Sequence, residues 1–225
     1  TIHDSQFTVF DTKKDNDLFY GKAIIKDGFG KVSGTDKKIF IQANALSGAG
    51  SEINIPISSY TKGARLDYVY FKSKRQNDTV LVKKKVETLG FGLHLVVDVA
   101  SDTDVNIIFD EKAGDIIHGK GNGNVTMDIS DEGEFTMVGQ YEVMEGEYLF
   151  TAENVIKKLF VIDRGGTITW SGNPYNAMLN IQAVYKVPNA TIQTDTSATG
   201  TRKIPVDVLM KLQGSLFQPQ IGLNI

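Results

Sequence analysis

The chain contains no cysteine. That excludes disulfides, thiol nucleophiles and thiolate metal sites. Proline is scarce, at five in 225 residues, and no apolar run approaches the ~20 residues that a membrane-spanning helix needs. There is no surplus of charge of one sign either. The formal net charge is −3, which gives nucleic acid nothing to bind. Histidine is rare, and the three present (His3, His94 and His118) have no metal-ligand spacing. No serine sits in a G-x-S-x-G elbow. No signal-peptide pattern is present, the first residue is not methionine, and residues 221–225 end on strand-like sequence. We expect the chain to be part of a longer protein, with any anchor or targeting signal outside it.

What is abundant is glycine, 22 residues, set among short alternations of apolar and polar side chains. A strand repeats every two residues, so such alternation makes a ribbon with one apolar and one wet face. Phe135, Met137, Gly139, Tyr141 and Val143 share one side, and Glu134, Thr136, Gln140 and Glu142 the other, with Val138 as an exception. Tyr148 and Phe150 restart the pattern after Gly146, and Ile168 and Trp170 do so after Gly165 and Gly166. Val125, Met127 and Ile129 alternate cleanly with Asn124, Thr126, Asp128 and Ser130. Upstream, similar ribbons are expected over residues 7–10, 18–25, 31–33, 39–45 and 53–57, with a turn at Gly28 to Gly30. Leu66, Tyr68 and Tyr70 make another, as do Leu93, Leu95 and Val97, and Val105, Ile107 and Phe109. Pro205, lacking an amide hydrogen, marks an edge strand or a strand start.

Residues 72–85 carry Lys72, Lys74, Arg75, Lys83, Lys84 and Lys85 against Asp78 alone. We place a basic loop or boundary at 73–90. It separates a β-rich segment at 1–72 from a β-domain at 91–225, and the Thr/Ser/Gly-rich stretch at 190–202 reads as a mobile loop. The glycines at 119, 121 and 123 resemble a phosphate loop, but a strand pattern follows them where a phosphate loop needs a helix N-terminus. They are expected to make a turn or bulge. Asp98, Asp102, Asp104 and Asp110 lack the spaced loop of a calcium site and are expected at solvated strand ends. No catalytic residue, cofactor or metal is expected, and the chain is not read as an enzyme.

One family resemblance stands beside this reading. GQYEVMEGEYLF, followed by KKLFVIDRGGTITWSGNPYNAMLNIQAVY, resembles the C-terminal domain of the TamB translocation and assembly family, which belongs with the AsmA-like, bridge-like lipid transfer proteins. The features that agree in order are Phe160, Gly165, Gly166, Ile168, Trp170, Gly172, Pro174, Ala183 and Tyr185. Residues 110–129 are similar to the Bacteroidetes-type version. Asn173 stands where an acidic residue is common, and a turn accepts either.

The resemblance implies an all-β fold: an elongated, curved, mostly antiparallel sheet rolled into a taco-like or solenoid-like trough with an apolar interior. It implies a periplasmic location, within an inner-membrane-anchored protein of a diderm bacterium. The implied partners are phospholipid acyl chains and an outer-membrane BamA/TamA-type barrel, met by β-augmentation or by periplasmic-domain contact. The implied function is passage of phospholipid along a hydrophobic groove. The alternatives are a scaffold for assembly of outer-membrane proteins and a β-sandwich or solenoid binding or adhesin domain. If a groove exists, its expected lining is Val125, Met127, Ile129, Phe135, Met137, Tyr141, Val143, Tyr148, Phe150, Ile168 and Trp170. Periodicity by itself does not separate an open groove from a closed core, and a single bulge reverses the facing of a strand.

Overall fold

The computed structural model describes residues 6–13, 20–57, 90–131, 134–152, 156–193 and 201–225. Strand makes up 82% of it and helix 2%, so the class is all-β. The strands are β1 (Phe7–Thr12), β2 (Tyr20–Gly34), β3 (Lys38–Ser47), β4 (Glu52–Pro56), β5 (Gly90–Asp110), β6 (Asp115–Ile129), β7 (Phe135–Ala152), β8 (Ile156–Ile162), β9 (Gly166–Gly172), β10 (Met178–Gln193), β11 (Thr201–Ser215) and β12 (Gln220–Asn224). A 3-10 turn at Pro174–Asn176 joins β9 to β10. All twelve strands form one sheet, in the order β1-β2-β3-β5-β6-β7-β8-β10-β11-β12. β4 continues the row of β3, and β9 continues that of β8.

The pairing is antiparallel except at one joint, where β3 and β4 both run parallel to β5. Residues 58–89 connect β4 to β5. The Leu66–Tyr68–Tyr70 ribbon and all of the expected basic loop except Gly90 fall there, outside the described residues, and Gly90 opens β5. The sheet is continuous from residues before that segment to residues after it.

Two local expectations are corrected. Gly28 and Gly30 do not turn the chain. They lie inside β2 and pair with Ala45 and Ala43. A Cβ at Gly28 would come within 2.7 Å of the Asn44 carbonyl, so close backbone approach explains the glycine there. Residues 190–202 are not wholly loop, because Ala190 pairs with Ile204 and Gln193 with Thr201. The alternation of Thr191, Ile192 and Gln193 suits a ribbon, and residues 194–200 lie outside the described residues. Pro205 sits opposite the bulge between Val187 and Ala190, on a part of β11 with one described neighbour, as its missing donor requires.

The ladder breaks along one line. β2 shifts register between Ile25 and Asp27, β3 gives way to β4, and β5 bulges between Val99 and Thr103. β7 inserts Met144 where Gly121 pairs with Val143 and Lys120 with Glu145, and β8 gives way to β9 at Asp163 to Gly165. Each break lies beside the next, so they form a crease across the sheet, and bulges of this kind bend strands. Backbone groups freed at the crease are re-paired. The Gly48 amide donates to the Ile24 carbonyl (2.8 Å), Asp104 to Ser51 (2.9 Å) and Gly165 to Val143 (2.9 Å). Buried hydroxyls serve others. Ser51 Oγ accepts from the Ile24 amide at 3.0 Å, and Ser47 Oγ accepts from the Ala100 amide at 2.7 Å and meets Thr103 Oγ1 at 2.6 Å.

Ser51→Ala removes a hydroxyl that accepts from the buried Ile24 amide, and should cost about 1–3 kcal/mol by urea unfolding. Gly139 pairs with Val125 at φ +142°, and a Cβ there would lie 2.1 Å from the Asn124 carbonyl. Gly139→Ala should therefore lose about 1–3 kcal/mol. Gly30→Ala, whose nearest contact would be 4.0 Å away, should stay within about 0.5 kcal/mol of the parent.

Candidate functional site

The described residues hold no group of three or more His, Asp or Glu side chains placed to bind a metal. The feature that remains is the apolar face. Cross-strand register decides which side chains share it. One row runs Gly28, Ala45, Val97, Val125, Gly139 and Trp170 across six strands. The next runs Gly30, Ala43, Leu95, Met127, Met137 and Gly172. An outer row runs Val32, Ile41, Leu93, Ile129 and Phe135, and Ile39 and Phe91 pair beyond it. On the far side of the crease the face holds Ile107, Ile117, Tyr148 and Phe160, again in register.

All eleven side chains expected on one face are there together. The Met144 bulge is what makes this possible. It flips the parity of β7, so odd residues up to Val143 and even residues from Gly146 onward face the same way. Tyr141 lies over the glycines of β6. A Cβ at Gly121 would be 2.9 Å from the Tyr141 ring, and the Tyr141 hydroxyl donates to the Gly119 carbonyl at 3.4 Å. Those glycines are strand residues at the bulge, cleared for a ring.

The eleven differ in cover. Val125, Tyr141, Val143, Tyr148, Ile168 and Trp170 are buried in one packed cluster with Ile107, Ile181, Met210 and Leu212. Met127, Met137 and Phe150 are partly buried against that cluster. Ile129 and Phe135 are half-buried. Beyond them the face is exposed: Val32 at 70%, Phe91 at 43% and Ile39 at 42%, against 1% for Tyr148 and Ile107. One end of the apolar face is therefore packed shut, and the other meets solvent. Val32, Ile39, Ile41 and Phe91 were not singled out as lining. Their place depends on the parallel β3–β5 joint, which no local pattern announces.

The packed end is lined with aromatics. Phe109 lies 6.0 Å from Tyr148, Tyr148 lies 5.8 Å from Phe150, Phe150 lies 6.2 Å from Phe160, and Phe160 lies 5.6 Å from Tyr185. Tilted and edge-on contacts of this kind suit the ring quadrupole. Lys158 Nζ donates to the Tyr185 hydroxyl at 3.2 Å and sits 5.1 Å from the centre of its ring. The opposite face of the sheet is mixed, with Phe29, Val138 and Leu159 exposed on it beside a polar network. Asn106 donates to Asn54 Oδ1 (3.0 Å) and to Glu52 (3.3 Å), and His118 meets Asn106 at 2.5 Å. His94 pairs with Asp128 at 2.6 Å. Asp98 and Asp104 stand mid-strand on this wet face rather than at strand ends, and Asp104 faces His118 and Lys120. Strand alternation alone puts them there.

Burial pushes the Tyr141 and Tyr148 hydroxyls far above their ordinary range, so both stay protonated donors. Asp115 opens β6 beside Tyr148, and burial raises its carboxyl above the usual carboxylate range, against a lowering hydrogen bond from Tyr148. A carboxyl with a raised native pKa holds its proton more tightly in the fold than in the unfolded chain. Its stabilising contribution is present at low pH and is lost as pH rises through the native value. Asp115→Asn removes that loss. Between about pH 3 and pH 7, the melting temperature of the variant minus that of the parent should therefore increase.

No curated protein sequence matches the chain. The family model for the TamB C-terminal domain matches residues 1–225, the whole length. Together with a large, mostly antiparallel sheet whose apolar face is open at one end, that match makes this chain a member of the TamB family, whose proteins serve outer-membrane assembly and lipid transport.

Proposed function

We propose that this chain is a passive lipid carrier of the cell envelope and not an enzyme: phospholipid tails lie on the uncovered apolar rows and are passed toward the outer membrane. The observation that carries this reading is the exposure of Val32, Ile39 and Phe91 in register with half-buried Leu93, Ile129 and Phe135. Acyl chains bring no hydrogen-bonding groups, so a seat for them needs only apolar side chains. About 0.8 kcal/mol is available for each methylene buried. TamB-family proteins span the periplasm from an inner-membrane anchor in diderm bacteria and associate with the outer-membrane assembly machinery. In this reading the chain works in the periplasm and hands lipid on beside a BamA/TamA-type barrel.

A second reading has its own observation. β12 is exposed along its whole length and has β11 as its one described neighbour. Such an edge accepts a further strand, which suits a scaffold for outer-membrane proteins or direct pairing with the barrel partner.

The two readings separate experimentally. Ile39→Asp puts a charge on the exposed rows without disturbing the packed end. It should change stability by no more than about 0.5 kcal/mol, while phospholipid co-purified with the chain, read by native mass spectrometry, falls about tenfold or more. A photo-crosslinker at Met137 should capture lipid, and one at Thr136, on the wet face, should not. Lipid-free protein with no crosslink at either position would remove the carrier reading and leave the edge-strand scaffold.

A further inference from the structure

We infer that the lipid seat is blind-ended: the methyl ends of bound phospholipid tails stop at Trp170, and the aromatic cluster beyond is a stopper rather than a continuation of the path. This rests on the carrier reading and narrows it. A conduit that ran through the domain would need room along the whole apolar face. The face beyond the Trp170 row has none. Tyr141, Val143, Ile168, Ile107, Ile117, Tyr148 and Phe160 are all buried in one cluster, and Phe109, Tyr148, Phe150, Phe160 and Tyr185 touch ring to ring. The stopper is fixed at its base, where the crease is pinned by the buried Ser47–Thr103 hydroxyl pair, and at its outer edge by Lys158 on Tyr185.

The uncovered part is long enough for phospholipid tails. It spans β2, β3, β5, β6 and β7, about 19 Å at the ~4.8 Å spacing of neighbouring strands. From the Ile39–Phe91 pair to the Trp170 row is six residues, about 20 Å along a strand, and from the Phe135 row it is four residues, about 13 Å. One leaflet of a ~30 Å hydrocarbon core supplies tails of about 15 Å. Tails of that length that reach Trp170, which stands at 7% exposure where cover begins, extend back to the Phe135 row and leave the Ile39–Phe91 pair beside the headgroup. The seat therefore exchanges lipid through its open end only, and the headgroup stays on that side.

Trp170 is the only tryptophan in the chain, so it reports on its own surroundings without mutation. The 225-residue chain is incubated with vesicles of phosphatidylethanolamine brominated either near the methyl end or near the carbonyl end of the acyl chain. It is then separated from the vesicles before its fluorescence is read. The expected result is quenching at least twofold stronger with the methyl-end label. Equal quenching by the two labels, or stronger quenching by the carbonyl-end label, overturns the blind end and leaves the carrier reading standing. Absence of quenching by either label, with no lipid retained, overturns both. Photo-crosslinkers at Leu93 and Phe160 give an independent check: capture at Leu93 alone supports the stopper, and capture at Phe160 overturns it.

Discussion

A strand that bends must leave backbone groups unpaired at the bend, and everything else in this sheet depends on how that is managed. Here every strand row from β2 to β9 except β6 breaks or bulges at the same level, so the cost falls on one line. Ser47, Ser51 and Thr103 sit on that line as buried hydroxyls, and the nearby backbone amides find carbonyls across the breaks. A buried, unpaired amide costs about 1–3 kcal/mol, so a crease this long survives only when nearly every group on it has a partner. The crease lets strands of 15 to 21 residues carry one apolar face around a corner.

The crease also sets where the face is packed and where it is free. Bulges preserve facing because the partner strand keeps its own parity. β6 faces inward at every odd residue from Ile117 to Ile129, and β7 stays in step by inserting Met144. On one side of the crease, rings and branched side chains fill the face. On the other, β2, β3, β5, β6 and β7 run on past the end of β9 at Gly172, and their apolar rows lose cover. Shut and open ends of one continuous surface then follow from strand lengths alone. Because the open end joins a rigid packed base, a ligand settling there would find its seat already ordered and would lose less entropy on binding.

Much of this was legible in the residues. The alternation of Val125, Met127 and Ile129 and of Phe135 to Val143 placed their faces correctly, because a period of two leaves one choice of side for the whole run. The all-β class and the polar side of Asn124, Thr126 and Asp128 followed in the same way. The Gly28–Gly30 turn and the upper part of the 190–202 loop did not hold. Glycine and threonine have the same composition in a turn as in a strand that lets its neighbour come close. The open rows at Val32, Ile39 and Phe91 could not be picked out, because β3 meets β5 across more than forty residues of sequence in a parallel pairing that no turn signal marks.

The sequence by itself determined that this chain would be a sheet of alternating strands, free of cysteine chemistry, and it carried the motif order of the TamB C-terminal domain. It could do so because alternation and turn residues act over a few positions and need no partner. Only the tertiary structure decided which apolar residues are covered. Exposure belongs to the neighbours brought alongside, and those were set by register between distant strands and by the alignment of separate bulges into one crease.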